Sequence, residues 1–167
     1  MNSPDAHMAS MVEIEGREFL IDVGYAAPFL SPLPRDLKMD YSIALGRDRY
    51  VLKPQDENGR SRLELYRDGI LKHGYVAKPE SKTIDDFSIA DSFSDDATFM
   101  NALLLARFFP GRSIVIHNLT VVESQGTSSK SYTLKDRDEL GQAVEDLFGM
   151  PKHIVMDALS ELRNLND

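Results

Sequence analysis

Two side chains near the start of the chain have the chemistry of an acid–base pair, His7 and Asp22. The residues from Met8 to Val23 predict a β-hairpin, because strand-forming residues flank the short turn signal Glu15-Gly16. If that turn has two residues, the numbers of paired residues sum to 31 and Ala9 faces Asp22. His7 then lies on the same face, about 7–8 Å away along the diagonal. A carboxylate in that place fixes the tautomer of the imidazole and raises its basicity.

Simpler interpretations of the same residues stay open. A turn longer or shorter by a single residue would place His7 and Asp22 on opposite faces of the hairpin. An aspartate that closes a strand ahead of a glycine is typical of a turn, and a histidine near the start of a chain is typically solvated. The string His7-Met8-Ala9-Ser10 is also typical of an expression-vector remnant, which would carry no mechanism.

The elements that would position this pair are short strands joined by hairpin turns. Asn58-Gly59 and Asp68-Gly69 are the strongest turn signals, and they separate segments of strand-forming residues within 41–76. They predict an antiparallel β-barrel-like domain over 7–78, either a barrel or a curled sheet. Within it, the proline-rich stretch at 28–34 is expected to be irregular, because proline cannot donate to a strand ladder.

A helical connection is expected over 79–110. Thr83 is expected to cap one helix, and a second helix is expected to run from Ser94 through the Leu103-Leu104-Leu105 run to Phe109. Pro110-Gly111 would end that helix.

The last part, 111–167, is expected to be a small α/β lid domain. It would have strands within 113–123 and 131–134, followed by two C-terminal helices. Asp136 and Glu139 indicate a capping pair for the first of these helices, which Gly149 ends, and Pro151 opens the second. The predicted fold class is therefore α+β.

Composition limits the classes of function. The chain has 167 residues, of which 42% are apolar and 28% charged, and its formal net charge is −8. An acidic chain repels phosphate backbones and anionic membrane surfaces, so we expect neither nucleic acid nor membrane as a partner. No apolar run approaches the roughly 20 residues of a bilayer span, and the first residues do not have the pattern of a secretory signal. We therefore expect a cytoplasmic location.

The sequence contains no cysteine. Disulfides, thiolate zinc sites and a cysteine nucleophile supplied by these residues are therefore excluded. His73, His117 and His153 match no metal-ligand spacing, and the acidic run at 85–96 lacks the spacing of a calcium loop, so no metal site is expected. The chain also has no glycine-rich phosphate loop and no serine in a Gly-x-Ser-x-Gly elbow.

The segment from His7 to Tyr25 resembles the arylamine N-acetyltransferase family. In that family a histidine begins a strand, a short turn follows, and the return strand ends in an Asp-Val-Gly-Phe-Gly motif. Here the motif reads Asp22-Val23-Gly24-Tyr25-Ala26. Two further segments, Ser31-Pro32-Leu33 and Leu147-Phe148-Gly149, are similar to later parts of the family pattern. The resemblance covers nearly all of this chain but only the second and third domains of the family.

The resemblance implies a division of roles within a Cys-His-Asp triad. His7 would be the base that activates a catalytic cysteine, and Asp22 would be the acid that orients it. Gly24, Tyr25 and Ala26 would lie close to acetyl-CoA, the co-substrate, whose acetyl group passes to the cysteine and then to an arylamine. No metal takes part.

The sequence departs from the family in three ways. The N-terminal helical domain that carries the family's cysteine is expected to be missing, Tyr25 replaces the usual Phe, and Ala26 replaces the second motif glycine. A His-Asp pair without a nucleophile cannot carry out two-step acyl transfer.

Three functional interpretations follow. In the first, the chain is a truncated acetyltransferase that is inactive alone and works only with a separate cysteine-bearing chain, or it derives from a split or misannotated gene. A homo-oligomer would fit this interpretation and the next one equally. Alternatively, it is a non-catalytic binding or regulatory module on the same fold. The third interpretation, an unrelated hydrolase or lyase that pairs His7 with a serine, depends only on generic Ser, His and Asp content.

Overall fold

Three antiparallel sheets and two helices make up the described part of the chain. A computed structural model describes residues 7–86, 101–162 and 165. The predicted α+β class is confirmed. Within the described residues the strands form separate open sheets and no closed barrel, so the predicted barrel or curled sheet is matched only loosely.

The first seven strands form two sheets. The first sheet has three strands in the order β1-β2-β3, and the second has four in the order β4-β5-β6-β7. Strands β1 and β7 therefore lie at sheet edges. The strands are β1 (Ser10–Ile14), β2 (Arg17–Ile21), β3 (Leu33–Pro34), β4 (Tyr41–Leu45), β5 (Asp48–Leu52), β6 (Ser61–Arg67) and β7 (Ile70–Ala77).

The two sheets pack around a common apolar core directly below the predicted site. Leu20 and Leu63 are almost completely buried in it, and tyrosines from three different segments pack against it. Burying a leucine side chain in this way is worth about 1.5–3 kcal/mol. The buried members are Leu20, Leu33, Leu52, Leu63 and Ala77.

The third sheet has four strands in the order β11-β10-β9-β8. Its strands are β8 (Leu104–Phe109), β9 (Arg112–His117), β10 (Thr120–Gln125) and β11 (Ser128–Thr133). The helix predicted to run to Phe109 is wrong over its last part, because Leu104–Phe109 is a strand. Pro110-Gly111 is a hairpin turn that pairs Phe109 with Arg112, and Leu105 packs against the core beside Ile116.

Two helices, α1 (Arg137–Phe148) and α2 (Lys152–Glu161), pack on the third sheet. The predicted cap is confirmed, since Asp136 Oδ1 accepts the Glu139 N–H at 2.9 Å. Gly149 ends α1 in the left-handed conformation and donates its N–H to Glu145 O at 2.9 Å. Pro151 precedes α2, as predicted.

The connection predicted at 79–110 is described only in part. A short 3-10 helix spans Ile84–Asp86, and there Asp86 Oδ2 accepts both the N–H and the hydroxyl of Thr83. Most of the two helices predicted in this stretch falls on 87–100, outside the described residues. The domain boundaries at 78 and 110 stay predictions.

Three hairpin turns meet where the second and third sheets come together. Gly46 donates its N–H to Gly126 O at 2.7 Å, and Gly126 donates its own to Gly111 O at 2.9 Å. The two sheets are thus connected through backbone atoms. No helix among the described residues is long and apolar enough to cross a membrane.

Candidate functional site

The hairpin has the register that the sequence predicts. Ser10 pairs with Ile21 and Met11 with Leu20, so paired numbers sum to 31 and the turn at Glu15-Gly16 has two residues. His7 and Asp22 consequently share a face. His7 Nε2 lies 2.8 Å from Asp22 Oδ2.

Asp22 accepts three hydrogen bonds from three segments of the chain. Besides His7, the Tyr75 hydroxyl donates to Oδ2 at 2.6 Å, and the Gly24 N–H donates to Oδ1 at 3.0 Å. The Asp22 side chain has 0% exposure, whereas that of His7 has 31%. Asp22 is therefore a turn-forming aspartate and a partner of the histidine at the same time.

These contacts set the ionisation of the pair. Burial alone would raise the pKa of Asp22, but the hydrogen bonds from His7 and Tyr75 and the charge of His7 lower it below its ordinary value. The hydrogen bond to Asp22 raises the pKa of His7 above 6.5, against a smaller opposite effect of burial. The carboxylate is thus held ionised and makes the imidazole more basic.

The free nitrogen of His7 decides what the pair can do. Asp22 occupies Nε2, and within the described residues Nδ1 has no hydrogen-bond partner. An ionised carboxylate at Nε2 keeps the proton of a neutral imidazole on that nitrogen. Nδ1 then carries a lone pair and can accept a proton from a hydroxyl or thiol placed against it.

A wide groove lies beside His7, between the edge strands β1 and β7. Its volume is about 1350 Å³. His7, Met11, Leu20, Leu63 and Tyr75 are among the residues that line it, so the groove reaches the core of the first two sheets. A reacting group can approach His7 from this side.

The motif residues after Asp22 form the other wall of the site. The Tyr25 hydroxyl lies 2.7 Å from His73 Nδ1, and its ring contacts those of His7 and Tyr75 at 5.8 and 5.2 Å between centroids. Burial raises the pKa of Tyr25 to about 12, so its hydroxyl stays protonated and can donate to His73. Ala26 has a φ of 53°, the left-handed region that alanine rarely adopts.

A smaller pocket of about 380 Å³ opens on the far side of this loop. It is lined by Asp22, Gly24 and Ala26, and by Phe108 from the third sheet. Of the three motif residues predicted to lie near acetyl-CoA, Gly24 and Ala26 therefore line a pocket beside Asp22.

Two residues of the site escaped the sequence analysis. Tyr75 and His73 lie on β7, 53 and 48 positions from their partners Asp22 and Tyr25. Because His73 and Tyr75 are two positions apart on a strand, the sequence predicts that they share a face. Their partners, however, are known only once the packing of the two sheets is seen. His73, which matches no metal-ligand spacing, is exposed on the edge strand β7.

The other predicted groups do not join the site. His117 ends β9 and His153 is exposed on α2, both in the second half of the chain. The described residues contain no group of three or more His, Cys, Asp or Glu side chains placed to hold a metal ion. Within the same ranges, no serine hydroxyl contacts His7, so nothing favours the hydrolase interpretation.

Comparisons with known proteins agree on one family. A family model described as N-acetyltransferase matches residues 1–154. Among solved structures, the arylamine N-acetyltransferase of Salmonella typhimurium matches with a TM-score of 0.73 at 17% identity, over 95% of this chain and 62% of that enzyme. The Nocardia farcinica enzyme matches with 0.73 at 22% identity, over 97% and 60%.

A third neighbour was solved with a ligand. The Mycobacterium marinum arylamine N-acetyltransferase in complex with CoA matches with a TM-score of 0.70 at 16% identity, over 96% of this chain. The chain spans 60% to 64% of the length of these three enzymes. No curated protein sequence matches the chain.

Proposed function

Because the chain belongs to the N-acetyltransferase family, we propose that it contributes the histidine and aspartate of an acetyl-transfer site that acts on arylamines. The single observation that carries this proposal is the His7–Asp22 hydrogen bond of 2.8 Å, made by a histidine that lines the groove. The donor would be acetyl-CoA, in keeping with the CoA bound by the Mycobacterium marinum relative. A cytoplasmic location is part of the same proposal.

The nucleophile is a thiol from polypeptide outside these 167 residues, since the sequence has no cysteine. His7 Nδ1 takes the proton of the thiol as its sulfur attacks the thioester carbonyl of acetyl-CoA. The C–S bond to CoA then breaks, and the CoA thiolate takes the proton from His7, which is neutral again. In the second step the amine attacks the acetyl-thioester on the partner, and His7 receives the proton that the amine loses. The C–S bond to the partner breaks, and the released thiolate regains that proton from His7.

Asp22 and Tyr75 have different parts in this scheme. Asp22 holds the proton on Nε2 and stabilises the imidazolium that forms when Nδ1 is protonated. Tyr75 fixes the carboxylate by donating to the same Oδ2 that meets His7. Gly24 donates to the other oxygen, Oδ1, so rotating the carboxylate away from His7 would break the hydrogen bonds from both Tyr75 and Gly24.

The two-pocket geometry suggests where the substrates lie. The groove beside His7 would admit the thiol-bearing polypeptide, while the pocket lined by Gly24, Ala26 and Phe108 would take the acetyl end of the co-substrate. Ala26 places a methyl group in that pocket, in a backbone conformation that favours glycine.

A non-catalytic binding or regulatory module is the second candidate function. The observation in its favour is the absence of any cysteine, which leaves the described pair without a nucleophile of its own. In that case the groove beside His7 would serve for binding alone.

Acetylation of an arylamine, followed by mass spectrometry, tests the proposal. The purified chain is incubated with acetyl-CoA and an arylamine, alone and with lysate of its own host. We expect no turnover by the pure chain and turnover above the lysate background when both are present. The His7→Ala variant should abolish that gain, and His153→Ala, an exposed histidine on α2, should leave it unchanged.

The other outcomes decide between the candidates. Turnover by the pure chain would show that the requirement for an external thiol is wrong. A lysate gain that persists in His7→Ala would show that His7 is not the base. No gain under any condition would favour the binding module.

A further inference from the structure

Two open sheet edges face the same groove. Strand β1 ends the first sheet and β7 ends the second, and within the described residues neither pairs with a strand on its outer side. Residues of both strands line the groove between them. An edge strand carries a row of backbone N–H and C=O groups that point outward and can pair with another strand.

The second half of β7 is the regular part of this edge. A bulge between Leu65 and Tyr66 of β6 interrupts the register opposite the first half of β7, whereas His73 to Ala77 pair with β6 without a break. Gly74 lies so close to the backbone of Leu63 that a Cβ atom would clash with the Leu63 carbonyl. A glycine is therefore required at this position, where the backbones of β7 and β6 approach closely.

The side chains around this stretch are of two kinds. The floor of the groove is apolar, formed by Leu20, Leu63 and Ala77 from the core, and Val76 beside it is 45% exposed. The charged residues that line the groove are mostly cations, although the whole chain carries a net charge of −8. They are Arg62, Lys72, Lys78 and Lys82, against the carboxylates Glu64 and Glu80.

We propose that the groove between β1 and β7 binds an extended, acidic segment of a separate polypeptide, which adds a strand to the edge formed by His73–Ala77. Main-chain hydrogen bonds to the edge would supply affinity, and alternate side chains would pack on Met11 and Ala77. Acidic residues flanking the segment would meet Lys72 and Lys82 at the rim.

The position of this edge links binding to the histidine site. Tyr75 is in the middle of the stretch and hydrogen-bonds Asp22, so a strand added there passes next to His7. If this polypeptide also carries the thiol, it is the partner that the proposed function requires. Only this part of the inference rests on the proposed function. Binding itself is independent of acetyl transfer.

A cysteine-free peptide tests binding without involving turnover. The probe is the blocked peptide Glu-Val-Thr-Val-Thr-Val-Glu, titrated into the full chain while amide hydrogen exchange is followed. At saturation we expect exchange to slow by at least about tenfold at outward amides within His73–Ala77. A peptide with lysine at both ends should bind at least about threefold more weakly, and one with proline in place of both threonines should not bind.

Two matched variants locate the contact on β7. Val76→Asp places a negative charge inside the groove, and we expect it to weaken binding by at least about tenfold. Ile70→Asp makes the same change at a residue 62% exposed on the same strand, outside the groove, and should bind within about twofold of the wild type. Circular dichroism confirms that both variants are folded, and the proline peptide provides the same test on the unaltered protein.

Several results would overturn the inference. They are slowed exchange confined to another edge such as β4 or β11, equal binding of the proline and threonine peptides, equal loss in the two Asp variants, and no binding at millimolar peptide. Self-association of the chain that the peptide competes away would show that a second copy is the occupant. Peptide binding without any acetyl transfer would instead count only against the proposed function.

Discussion

Asp22 and Arg35 are two buried charges next to the first sheet, and they differ in their hydrogen-bond partners. Asp22 follows β2, Arg35 follows β3, and both side chains have 0% exposure. All three guanidinium nitrogens of Arg35 donate to protein groups: Nε to Ser61 Oγ at 3.1 Å, Nη1 to Glu18 and Met11, and Nη2 to the Gly59 carbonyl. Every guanidinium nitrogen of Arg35 thus has a partner, and the ion-pair partner Glu18 is 43% exposed.

The Asp22 network is open at one end. Asp22 accepts hydrogen bonds from Tyr75 and Gly24, and its third partner is His7, a partly exposed imidazole that lines the groove. Removing one member of a paired buried charge is strongly destabilising, so the contacts of Arg35 matter for folding. A buried charge that ends in a partly exposed imidazole can pass its effect to a reacting group.

The largest expected effect is that of Asp22→Asn on acetyl transfer. The amide presents a donor to Nε2 of His7, so the proton of the imidazole moves to Nδ1, where no proton can then be accepted. We expect transfer in the reconstituted reaction to fall by about 10³–10⁴-fold. NMR titration of the ring protons should show the pKa of His7 decreasing in the variant.

The matched control is Asp36→Asn, which removes an exposed carboxylate paired with Arg17 at 2.8 Å. Such a surface pair is worth at most about 1 kcal/mol. Equal losses of transfer in Asp36→Asn and Asp22→Asn would contradict the assignment of Asp22.

The next effect is that of Arg35→Met on stability. The substitution keeps an apolar stem of similar length but leaves Ser61 and the Gly59 carbonyl without their donor, and Glu18 without its cation. We expect the free energy of unfolding to fall by about 3 kcal/mol. Urea denaturation checks this, and a loss under about 1 kcal/mol would mean that the hydrogen bonds and ion pair of Arg35 are not important for folding.

Tyr75→Phe is expected to have a smaller effect that connects stability and activity. Removing the hydroxyl takes one hydrogen bond from a buried carboxylate, which costs about 1.5–3 kcal/mol. The pKa of Asp22 should rise, and kcat should fall by about tenfold because the carboxylate is less firmly held. In Tyr41→Phe, whose hydroxyl makes no hydrogen bond within the described residues, neither quantity should change appreciably.

The smallest effect concerns pH. The pKa of His7 is raised in the folded protein, so the His7–Asp22 contribution is fully present below pH 6.5 and is lost as pH rises through the folded-state pKa. The loss in unfolding free energy caused by His7→Gln should therefore shrink as pH rises, by at most about 1 kcal/mol. The loss in Arg35→Met should stay constant between pH 5.5 and 8.5.

Local signals in the sequence predicted the hairpin and the helix caps. The two-residue turn at Glu15-Gly16 determines the register of β1 and β2, and through it the alignment of His7 with Asp22. Asp136 and Gly149 cap α1 because their side-chain and backbone properties act within one turn of the chain. Such features need no information from distant residues.

The features that were predicted wrongly or missed depend on the pairing of strands that are distant in sequence. Leu103-Leu104-Leu105 has a high helix propensity, but pairing with β9 makes the last two of these residues part of a strand. The Pro110-Gly111 turn ahead of the strand-forming residues 113–116 was the available signal for a hairpin. Tyr75 could not be assigned to Asp22 from sequence, because the bulge in the β6–β7 pairing and the packing of two sheets together determine where its hydroxyl lies.

The contact of the hairpin turns has a consequence for how this fold can change over evolution. It is made by peptide groups, so most side chains nearby are free to vary while the sheets stay in place. Gly46 is an exception, since its φ of 60° and the nearby Ser124 and Ser129 side chains leave no room for a Cβ. A joint of this kind restricts few side chains, so it allows wide variation in the sequence around it.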